Sequence, residues 1–346
     1  MCGLTGIFAY SASAPPVAAD EVLRMREHMR ARGPDGAGLW ISEDKRVALG
    51  HRRLSIIDLS AAGAQPMATP DRALWVVFNG EIYNYRDLRG QLESQGRRFN
   101  SGSDTEVLLH LYQAYGPEMV HRLRGMYAFA IWDQAQGRLF LARDPFGIKP
   151  LYYADDGRTL RFASQVKALV AGGAVDIAPE PAGHAGFFLW GYVPEPYTLY
   201  RGIRALEAGS TLCKDLQGHA EMHRFCTVPA EIARAYEVGR QADLGKAAVM
   251  ADLGAALADS AEHHLVADVP VGIFLSAGLD SGTITALASR ARGGLHSITL
   301  GFRELQGSPL DETILAAKVA DRYGTLHQTA WVTPDDFQTE YRRILE

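Results

Sequence analysis

The feature that most constrains the fold is a change, along the chain, in the order of strand-like and helix-like runs. The first two thirds contain runs of strand length and strand composition, separated by Gly, Pro and Asn, with few helix patterns between them. These runs are GLTGIFAY, RVALGHRRLSIIDL, ALWVVFNGEIYN, MYAFAIWD and RLFLARD. Several are apolar on both faces, which favours sheets buried between layers over a single sheet half exposed to water. We therefore expect an αββα sandwich.

Three helix patterns lie among these strand-like runs. They are AADEVLRMREHMRAR, NYRDLRGQLESQG and SDTEVLLHLYQAYG. The third begins at Ser103, and Glu106 follows three residues later. That spacing predicts a capping box, in which each side chain binds the backbone N–H of the other residue.

The order of elements changes after the strand-like run GSTLCKDLQGHAEMHRFC. A connecting stretch, VPAEIARAYEVGRQADL, is followed by alternating helix and strand patterns. In order these are KAAVMADLGAALADSAEHHL as a helix, VPVGIFLSAGLDS as a buried strand, GTITALASRAR as a helix, LHSITLGF as a strand and DETILAAKVADRYG as a helix. Such alternation predicts βαβ units and a parallel sheet. We expect one domain over residues 2–220, a connecting segment over 221–243 and an α/β domain over 244–346.

Composition and charge exclude several classes of protein. The 346 residues carry a formal net charge of -5, which gives no reason to expect nucleic acid or an anionic membrane as partner. No apolar run reaches the length of a membrane span, and the first residues lack the pattern of a secretory signal. Cys2, Cys213 and Cys226 form no CxxC pair, which favours a reducing compartment. We expect a cytoplasmic protein, and a homodimer is left open.

The cysteine directly after the initiator methionine is the starting point for function. Removal of Met1 would give Cys2 a thiol and a free α-amine on the same residue. Four further stretches are richer in polar groups than an apolar sandwich requires: RARGPDGAG (30–38), HRRLSIID (51–58), FNGEIYNYRDLR (78–89) and SGSDTE (101–106). In order and spacing they resemble the glutaminase domain of class II, N-terminal-nucleophile amidotransferases. With GMYAFAIWD, LFLARDPFGIKPLYY and GYVPEPYTLYRGIRALEAGSTL, the chain resembles the bacterial glutamine-hydrolysing asparagine synthetases.

The resemblance implies an N-terminal-nucleophile hydrolase fold and a role for each matching residue. Cys2 would be the nucleophile, Asn79 and Gly80 the oxyanion donors, Arg53 the partner of the glutamine α-carboxylate, Glu81 and Asp104 the partners of its ammonium, and Leu54, Ile56 and Ile57 the pocket lining. Arg32, Gly33, Pro34 and Asp35 match a loop that would order the surroundings of Cys2. The chemistry fits, because an α-amine with an ordinary pKa of about 7.7–8.0 can accept the thiol proton near neutral pH.

Each of these residues also has an ordinary structural interpretation. Asn79 and Gly80 together could form a hairpin turn between two strands. Arg53 could be a surface residue and Glu81 a solvated strand end. The negative charge of Asp104 could simply be stabilised by the positive end of the dipole of the helix that begins there. Cys213 and Cys226 have no motif around them, and we expect both to be structural or incidental.

A second motif, FLSAGLDSG, follows an apolar strand and precedes a helix. Backbone N–H groups at such a helix start suit a phosphate group, but no Lys follows the second Gly as in a Walker A loop. The run resembles the SGGLDS pyrophosphate loop of ATP-dependent synthetases, with Ala277 in place of the first Gly. The resemblance implies ATP and Mg²⁺ as cosubstrates and no prosthetic group. Its implied ATP site is Leu275, Ser276, Gly278, Asp280, Ser281 and Leu300, with Asp280 as a Mg²⁺ contact. The structural alternative is an ordinary glycine-rich turn.

The resemblance as a whole implies an amidotransferase that uses glutamine, ATP and a carboxylate acceptor. Ammonia released at Cys2 would amidate an adenylated carboxylate, first of all aspartate, to give asparagine with AMP and pyrophosphate. Two alternatives stay open: another acceptor such as a sugar acid, or a truncated chain acting only as a glutaminase or a regulatory subunit. SPLDETILAAKVADRYGTLH matches the same synthetases, but their SGxGADE-type loop does not occur. We therefore expect the synthetase half to be incomplete.

Overall fold

The computed structural model describes residues 1–241 and 245–345. The chain divides into two compact units, Met1–Gln241 and Ala242–Glu346. Residue 220, the predicted end of the first domain, begins the last strand of the first unit. The predicted junction between residues 243 and 244, and residue 346, lie outside the described residues, so these domain limits stay predictions.

The first unit is built on two six-stranded sheets. Its strands are β1 (Gly3–Ala9), β2 (Gly36–Ile41), β3 (Val47–Arg53), β4 (Met67–Ala68), β5 (Leu74–Ile82), β6 (Gly125–Asp133), β7 (Arg138–Arg143), β8 (Tyr152–Asp155), β9 (Thr159–Ala163), β10 (Arg204–Ala205), β11 (Ser210–Asp215) and β12 (Ala220–Arg224). One sheet has the order β10-β8-β9-β1-β3-β2 and the other β12-β11-β7-β6-β5-β4. Every described pair of neighbouring strands in both sheets is antiparallel.

Six helices belong to the first unit. They are α1 (Ala19–His28), α2 (Tyr85–Ser94), α3 (Asp104–Tyr115), α4 (Val166–Gly172), α5 (Pro181–Trp190) and α6 (Val228–Gln241). Helices α1 and α4 pack on the outer face of the β1 sheet, where Val22, Met25 and Leu169 are fully buried. Helix α3 covers the outer face of the second sheet, and its Tyr112 ring lies 5.6 Å from Phe140 on β7.

The main core lies between the two sheets. Leu4 and Phe8 of β1 face Val77 of β5 and Ala128 and Trp132 of β6 in one buried cluster. With helices on both outer faces, the layers run helix, sheet, sheet, helix. The predicted αββα sandwich is confirmed, and so is the interpretation that strands apolar on both faces are buried between layers.

The hairpin alternative for Asn79 and Gly80 is wrong. Both residues lie inside β5, opposite Ala128 and Tyr127 of β6. The Asn-Gly pair is typical of hairpin turns but forms none here, because strand β5 continues on both sides of it and ends at Ile82. A Cβ added at Gly80 would lie 2.2 Å from the carbonyl oxygen of Met126, so the neighbouring strand leaves no room for a side chain.

The predicted N-cap of α3 is confirmed, but the predicted capping box is wrong. Ser103 is the N-cap, and its Oγ accepts the N–H of Thr105 at 3.2 Å. Glu106 does not bind back to Ser103. Its carboxylate accepts instead from the N–H groups of Asn100 and Ser101, at 2.9 and 2.8 Å. The loop before the helix folds over the first turn and brings the N–H groups of Asn100 and Ser101 to Glu106. The Ser103 N–H, which a capping box would give to Glu106, donates to the Ser101 hydroxyl.

The second unit has the predicted alternation of helices and parallel strands. Its elements are α7 (Lys246–His263), β13 (Gly272–Phe274), α8 (Leu279–Ala291), β14 (His296–Phe302), α9 (Thr313–Tyr323), β15 (Leu326–Val332) and α10 (Pro334–Leu345). The three strands form a parallel sheet in the order β13-β14-β15. Sequence reasoning missed β15, and it missed the helix α6 within the predicted connecting stretch.

The prediction that the strand of VPVGIFLSAGLDS is buried is wrong for most of its length. Strand β13 lies at the edge of the sheet, and the Phe274 side chain is 78% exposed. Only Leu275, just after the strand, packs into the small core of this unit with Ala316 and Ala320. Among the described helices of both units, none is long and apolar enough to cross a bilayer.

Candidate active site

One pocket of the first unit brings together most of the residues that the sequence assigns to a glutaminase site. The predicted residues that line it are Cys2, Arg53, Leu54, Ile56, Ile57, Gly80, Glu81 and Asp104. They come from the start of β1, the end of β3 and the loop after it, the end of β5 and the first turn of α3. The pocket therefore opens where strands from both sheets end on the same side of the sandwich.

The Cys2 thiol is fixed by the backbone of one residue. Its Sγ donates to the Leu54 carbonyl at 3.5 Å and accepts the Leu54 N–H at 3.4 Å. Burial raises the pKa of the thiol, so it is protonated at neutral pH and needs a base to become a nucleophile. Burial also lowers the pKa of the amine at the start of the chain, which in this structure belongs to Met1.

The RGPD loop holds the segment around Cys2 in place. Arg32 Nε donates to the Cys2 carbonyl at 3.0 Å, and an Asp35 carboxylate oxygen accepts the N–H of Ser55 at 2.8 Å. Gly33 lies so close to β3 that a Cβ there would be 2.3 Å from the backbone carbon of Arg52. These contacts hold the loop against Cys2 and against the segment after β3, while Pro34 is exposed.

The backbone N–H of Gly80 points into this pocket. On either side of it, the N–H of Phe78 donates to Gln65 Oε1 at 2.7 Å and the N–H of Ile82 donates to Asp104 Oδ2 at 2.9 Å. Alternate N–H groups of a strand point to the same edge, so the Gly80 N–H lies on that edge between Gln65 and Asp104. Strand β4 pairs only with Trp75 and Val76 of β5 and does not cover it.

Asn79 differs from the other predicted residues in its position. Its side chain is buried and does not line the pocket, and neither its Oδ1 nor its Nδ2 has a hydrogen-bond partner among the described residues. The alternation of β5 directs it between the sheets, as it does Val77. An unpaired buried amide is costly unless a partner is supplied at some stage of function.

Asp104 is a carboxyl group of the pocket with a strongly raised pKa. It is buried, and burial raises its pKa to about 7 even though the N–H of Ile82 binds it. The nearby Asp104 and Glu81 charges also contribute to the raised pKa of the Cys2 thiol. The pocket is therefore an acidic surrounding for the thiol, suited to a cationic group.

The Arg53 guanidinium already binds the loop that follows it. Nη1 donates to the Ser60 carbonyl at 2.9 Å, and Nη2 donates to the carbonyls of Ile57 and Asp58. The donors left over are the Nε–H and one Nη1–H, which do not lie on one edge of the group. Two-point binding of a carboxylate, as the resemblance implied, would therefore require one loop carbonyl to be released.

Several residues of the pocket escaped sequence reasoning: Gly63, Gln65, Phe78, Ser103 and Thr105. Gln65 is the most informative of them, because its amide accepts from β5 and donates to the Thr105 hydroxyl at 3.2 Å. No local pattern marks it, since both partners lie far along the chain. Ser103 and Thr105 could have been found from the helix start that they flank.

The second predicted site lies in the other unit, at the start of α8. Gly278 is the N-cap of this helix, and the hydroxyls of Ser276 and Ser281 lie 2.9 Å apart. Among the described residues other than glycine, a positive φ occurs at Lys45, Asp58 and Arg72. Ala277 is not among them, so its backbone tolerates the methyl group that replaces the first Gly of the motif. Asp280 and Leu300 are exposed, whereas Leu275 is buried. Leu275 and Leu300 belong to neighbouring parallel strand segments.

Comparison with known proteins matches the glutamine amidotransferase domain family over residues 1–226. The chain belongs to this family. A second family model, asparagine synthase, matches residues 252–346. The resemblance to asparagine synthetases is thus confirmed in both units.

Curated relatives match along almost the whole chain. Asparagine synthetase [glutamine-hydrolyzing] 1 of Bacillus subtilis is 36% identical over 100% of this chain and 52% of that protein. A putative asparagine synthetase of Mycobacterium tuberculosis is 39% identical over 97% of this chain and 53% of its own length. Asparagine synthetase B of Escherichia coli is 33% identical over 100% of this chain and 56% of that protein. The chain therefore spans about half the length of these relatives.

Proposed function

We propose that this chain hydrolyses glutamine to glutamate and ammonia at Cys2, after removal of Met1. The thiol attacks the side-chain amide carbon and passes its proton to the α-amine of Cys2. The amine then gives that proton to the departing nitrogen, which leaves as ammonia, and water hydrolyses the thioester. The observation that carries this proposal is the half-buried Cys2 thiol, which shares one pocket with Arg53, Asp104 and Gly80, whose N–H lies on the free edge of β5.

The oxyanion formed in this reaction would be bound by Gly80 and Asn79. The Gly80 N–H lies on the pocket edge of β5, and the Asn79 amide is buried without a partner. The Gly80 N–H is fixed by β5 before the reaction, which is how an oxyanion site lowers the barrier, whereas the Asn79 side chain would have to turn toward the pocket. Glutamine would bind with its α-carboxylate at Arg53 and its ammonium at Asp104 and Glu81. Leu54, Ile56 and Ile57 would line the remaining wall.

The second unit would use ammonia in an ATP-dependent step. The match to the asparagine synthase family and the start of α8 support ATP binding through Ser276, Gly278 and Ser281. Asp280 would share a Mg²⁺ ion with the phosphates. Only Leu300 of the two predicted nucleoside contacts has an exposed side chain. The names of the relatives support aspartate as the acceptor and asparagine as the product.

The proposal is tested by glutamate release from glutamine, once intact mass has shown that Met1 is removed. Cys2→Ala should lower the rate at least about a thousandfold, as for loss of a covalent nucleophile. Cys213→Ala is the matched control, because Cys213 lies on β11 outside the pocket, and it should keep the parental rate. Equal rates for the parent and Cys2→Ala would disprove the glutaminase proposal.

The acceptor is tested separately by AMP formation. Aspartate and sugar acids are offered in turn with MgATP and glutamine, and the amide product is identified by mass. AMP formed with aspartate alone supports asparagine synthesis. AMP formed only with a sugar acid would replace the aspartate proposal, and AMP formed with none would restrict the chain to glutaminase activity.

A further inference from the structure

A buried histidine lies directly behind the candidate pocket, between the two sheets of the first unit. His51 belongs to β3, and its side chain is 1% exposed. Val47 and Leu49 of the same strand are part of the core between the sheets, so the alternation of β3 directs His51 into that layer as well. The next residue on this face is Arg53, which lines the pocket. His51 is therefore placed one position deeper in the sandwich than the pocket wall.

The imidazole of His51 joins the two sheets through one hydrogen bond. Its Nε2 lies 2.9 Å from the carbonyl oxygen of Phe78 on β5, which belongs to the other sheet. A carbonyl oxygen can only accept, so Nε2 carries the hydrogen and donates it. Burial lowers the pKa of His51 to about 4, so the ring is neutral at neutral pH and has a single N–H. That one donor is committed to the backbone of β5.

The Phe78 carbonyl directly precedes the proposed oxyanion donor on the same edge of β5. In an antiparallel strand the N–H and C=O of one residue point to one edge, and those of the next residue point to the other. The backbone groups of Asn79 therefore face β6, where Asn79 lies opposite Ala128. The Phe78 C=O and the Gly80 N–H are consecutive polar groups on the pocket edge, and they are joined through Asn79 alone.

Side chains take the place of a neighbouring strand along this edge. Strand β4 pairs with β5 no further than Val76. Beyond it three side chains bind the backbone of β5: Gln65 at the N–H of Phe78, His51 at the carbonyl of Phe78 and Asp104 at the N–H of Ile82. Gln65 and Asp104 line the pocket, whereas His51 does not. The Gly80 N–H lies between the contacts of His51 and Asp104, so these two residues fix the strand on either side of it.

Loss of the His51 donor would leave the buried Phe78 carbonyl without its partner. An unpaired buried carbonyl is costly, so the peptide group between Phe78 and Asn79 would turn toward water or another donor. Such a turn also moves the following peptide group, which carries the Gly80 N–H. An oxyanion donor acts at about 2.7–3.1 Å from the oxygen, so a small displacement is enough to weaken it.

We propose that His51 is a positioning residue of the glutaminase site, which holds the Gly80 N–H where the oxyanion forms by donating to the neighbouring Phe78 carbonyl. This inference rests on the proposed function. His51 takes no proton from the substrate and does not touch it. Its bond to Phe78 keeps β5 in place before the reaction, so that no reorganisation of the strand is required when negative charge develops.

The first test is the rate of glutamate release by three variants of His51. His51→Leu has no donor, and the amide of His51→Asn is too short to reach Phe78, whereas the longer amide of His51→Gln can place an N–H near the position of Nε2. For His51→Leu and His51→Asn, kcat/KM should fall about ten- to a hundredfold, as for displacement of one oxyanion donor. For His51→Gln it should recover to within about threefold of the parental value.

The second test separates the transition state from the bound substrate. Glutamine binding is measured by calorimetry on Cys2→Ala, which cannot form the oxyanion, and on the same variant combined with His51→Leu. The two Kd values should agree within about twofold, because only an interaction made in the transition state is lost. His184→Leu is the matched control. Its Nδ1 also lies near a backbone carbonyl, that of Glu180 at 3.0 Å, but outside the pocket, so its kcat/KM should stay parental.

The outcomes separate this inference from the proposed function. If the parent does not hydrolyse glutamine, the proposed function is wrong and the role of His51 falls with it. If the parent is active and both His51→Leu and His51→Asn keep the parental kcat/KM, only the role of His51 is wrong. Equal losses in all three variants, or an equal loss of glutamine affinity, would show that His51 only stabilises the fold. If His51→Leu does not fold, the comparison of His51→Asn with His51→Gln decides.

Discussion

Asp104 combines burial and charge in a way that opposes stability. Its carboxyl is buried at the first residue of α3, and burial raises its pKa to about 7. The ionised form is therefore less favourable in the folded protein than in the unfolded chain, where the pKa is about 3.9. A substrate ammonium beside it would reverse this balance. On the proposed role, Asp104 sacrifices stability in the free protein for binding of that ammonium.

The sign of this effect gives a prediction about stability. A folded pKa above the unfolded value means that the contribution of Asp104 is greatest below pH 4 and is lost as the pH rises through 7. Asp104→Asn does not titrate. Its free energy of unfolding, relative to the parent, should therefore rise between pH 4 and pH 8 by on the order of 4 kcal/mol. Urea unfolding of the first unit at both pH values measures the difference.

Asp71→Asn is the matched control for this measurement. Hydrogen bonds, first of all from Thr69, lower the pKa of the Asp71 carboxyl, so its substitution should show no such rise. Asp104→Asn should also raise KM for glutamine at least about tenfold, because a charged partner of the ammonium is lost. A stability difference for Asp104→Asn that does not change with pH would contradict the proposed balance.

At the scale of elements, two loops contribute to the candidate pocket, and Asp58 joins them. The first loop follows β3 and supplies the carbonyls that hold Arg53. The second precedes α3 and leads to Asp104. Asp58 Oδ1 accepts the N–H of Ser60 at 3.0 Å within the first loop, and Oδ2 accepts the N–H of Gly102 at 2.8 Å in the second. Asp58 itself has a φ of 54°, a conformation that Asp and Asn tolerate better than most residues.

Asp58→Ala should loosen both loops together. It removes both oxygen acceptors and places Ala at a positive φ, so we expect a loss of about 1–3 kcal/mol in stability and a raised KM for glutamine. Hydrogen exchange should become faster in residues 57–60 and in residues 101–103. Asp58→Asn, which keeps one carbonyl acceptor and tolerates the backbone, should lose less. Asp71→Ala disturbs only its own turn, so exchange should leave the pocket loops unaffected. Faster exchange confined to one of the two loops would show that Asp58 does not couple them.

The limits of sequence reasoning are clearest at this same scale. The longest strands of the sandwich and the helices α1, α2 and α3 were predictable because each has its own local pattern of apolar residues. The sequence analysis missed other elements: β2, β4, β8, β9, β10, α4 and α5. The run RVALGHRRLSIIDL was read as one strand, yet β3 ends at Arg53, because the backbone beyond it turns to hold Cys2 through Leu54. An Asn-Gly pair is typical of hairpin turns, so the sequence suggested a turn at Asn79 and Gly80. In the structure both residues pair with β6, which continues alongside β5 past them, and a local sequence pattern does not contain that information. Both errors thus lie at residues of the candidate site.

The role of Gln65 illustrates what a sequence cannot display. Its side-chain oxygen accepts the N–H of Phe78 on β5, and its side-chain nitrogen donates to the Thr105 hydroxyl. These partners are far from Gln65 in sequence and come together only in the folded protein. The catalytic and glutamine-binding residues proposed from family motifs were predictable as a set, and the structure gathers all of these except Asn79 around one pocket. The loop residues 32–35 and the residues proposed for ATP binding do not line it. The residues that hold this set in place through hydrogen bonds, such as Gln65, were not predictable, because they belong to no motif of their own.

At the scale of the whole molecule, the two units differ in how much apolar surface they bury. The first has two filled layers, one between the sheets and one beneath α1 and α4. The second has a small cluster around Leu275, Ala316 and Ala320, and none of the described residues of α7 is buried. Burial of apolar surface is the main source of stability, so the second unit should be the weaker of the two.

This contrast predicts the course of limited proteolysis. Brief digestion with trypsin should cut first at or beyond the exposed helix α6, because local opening is easiest where few apolar contacts form. A fragment of about residues 1–230 should persist, and mass spectrometry identifies its end. The digest should still release glutamate from glutamine, since every residue proposed for that reaction lies before residue 150. MgATP should slow the loss of the second unit without protecting the first, by mass action on the folded form. Cleavage within β1–β7 before α6, or loss of glutamate release together with the second unit, would mean that the sandwich does not hold its own active site.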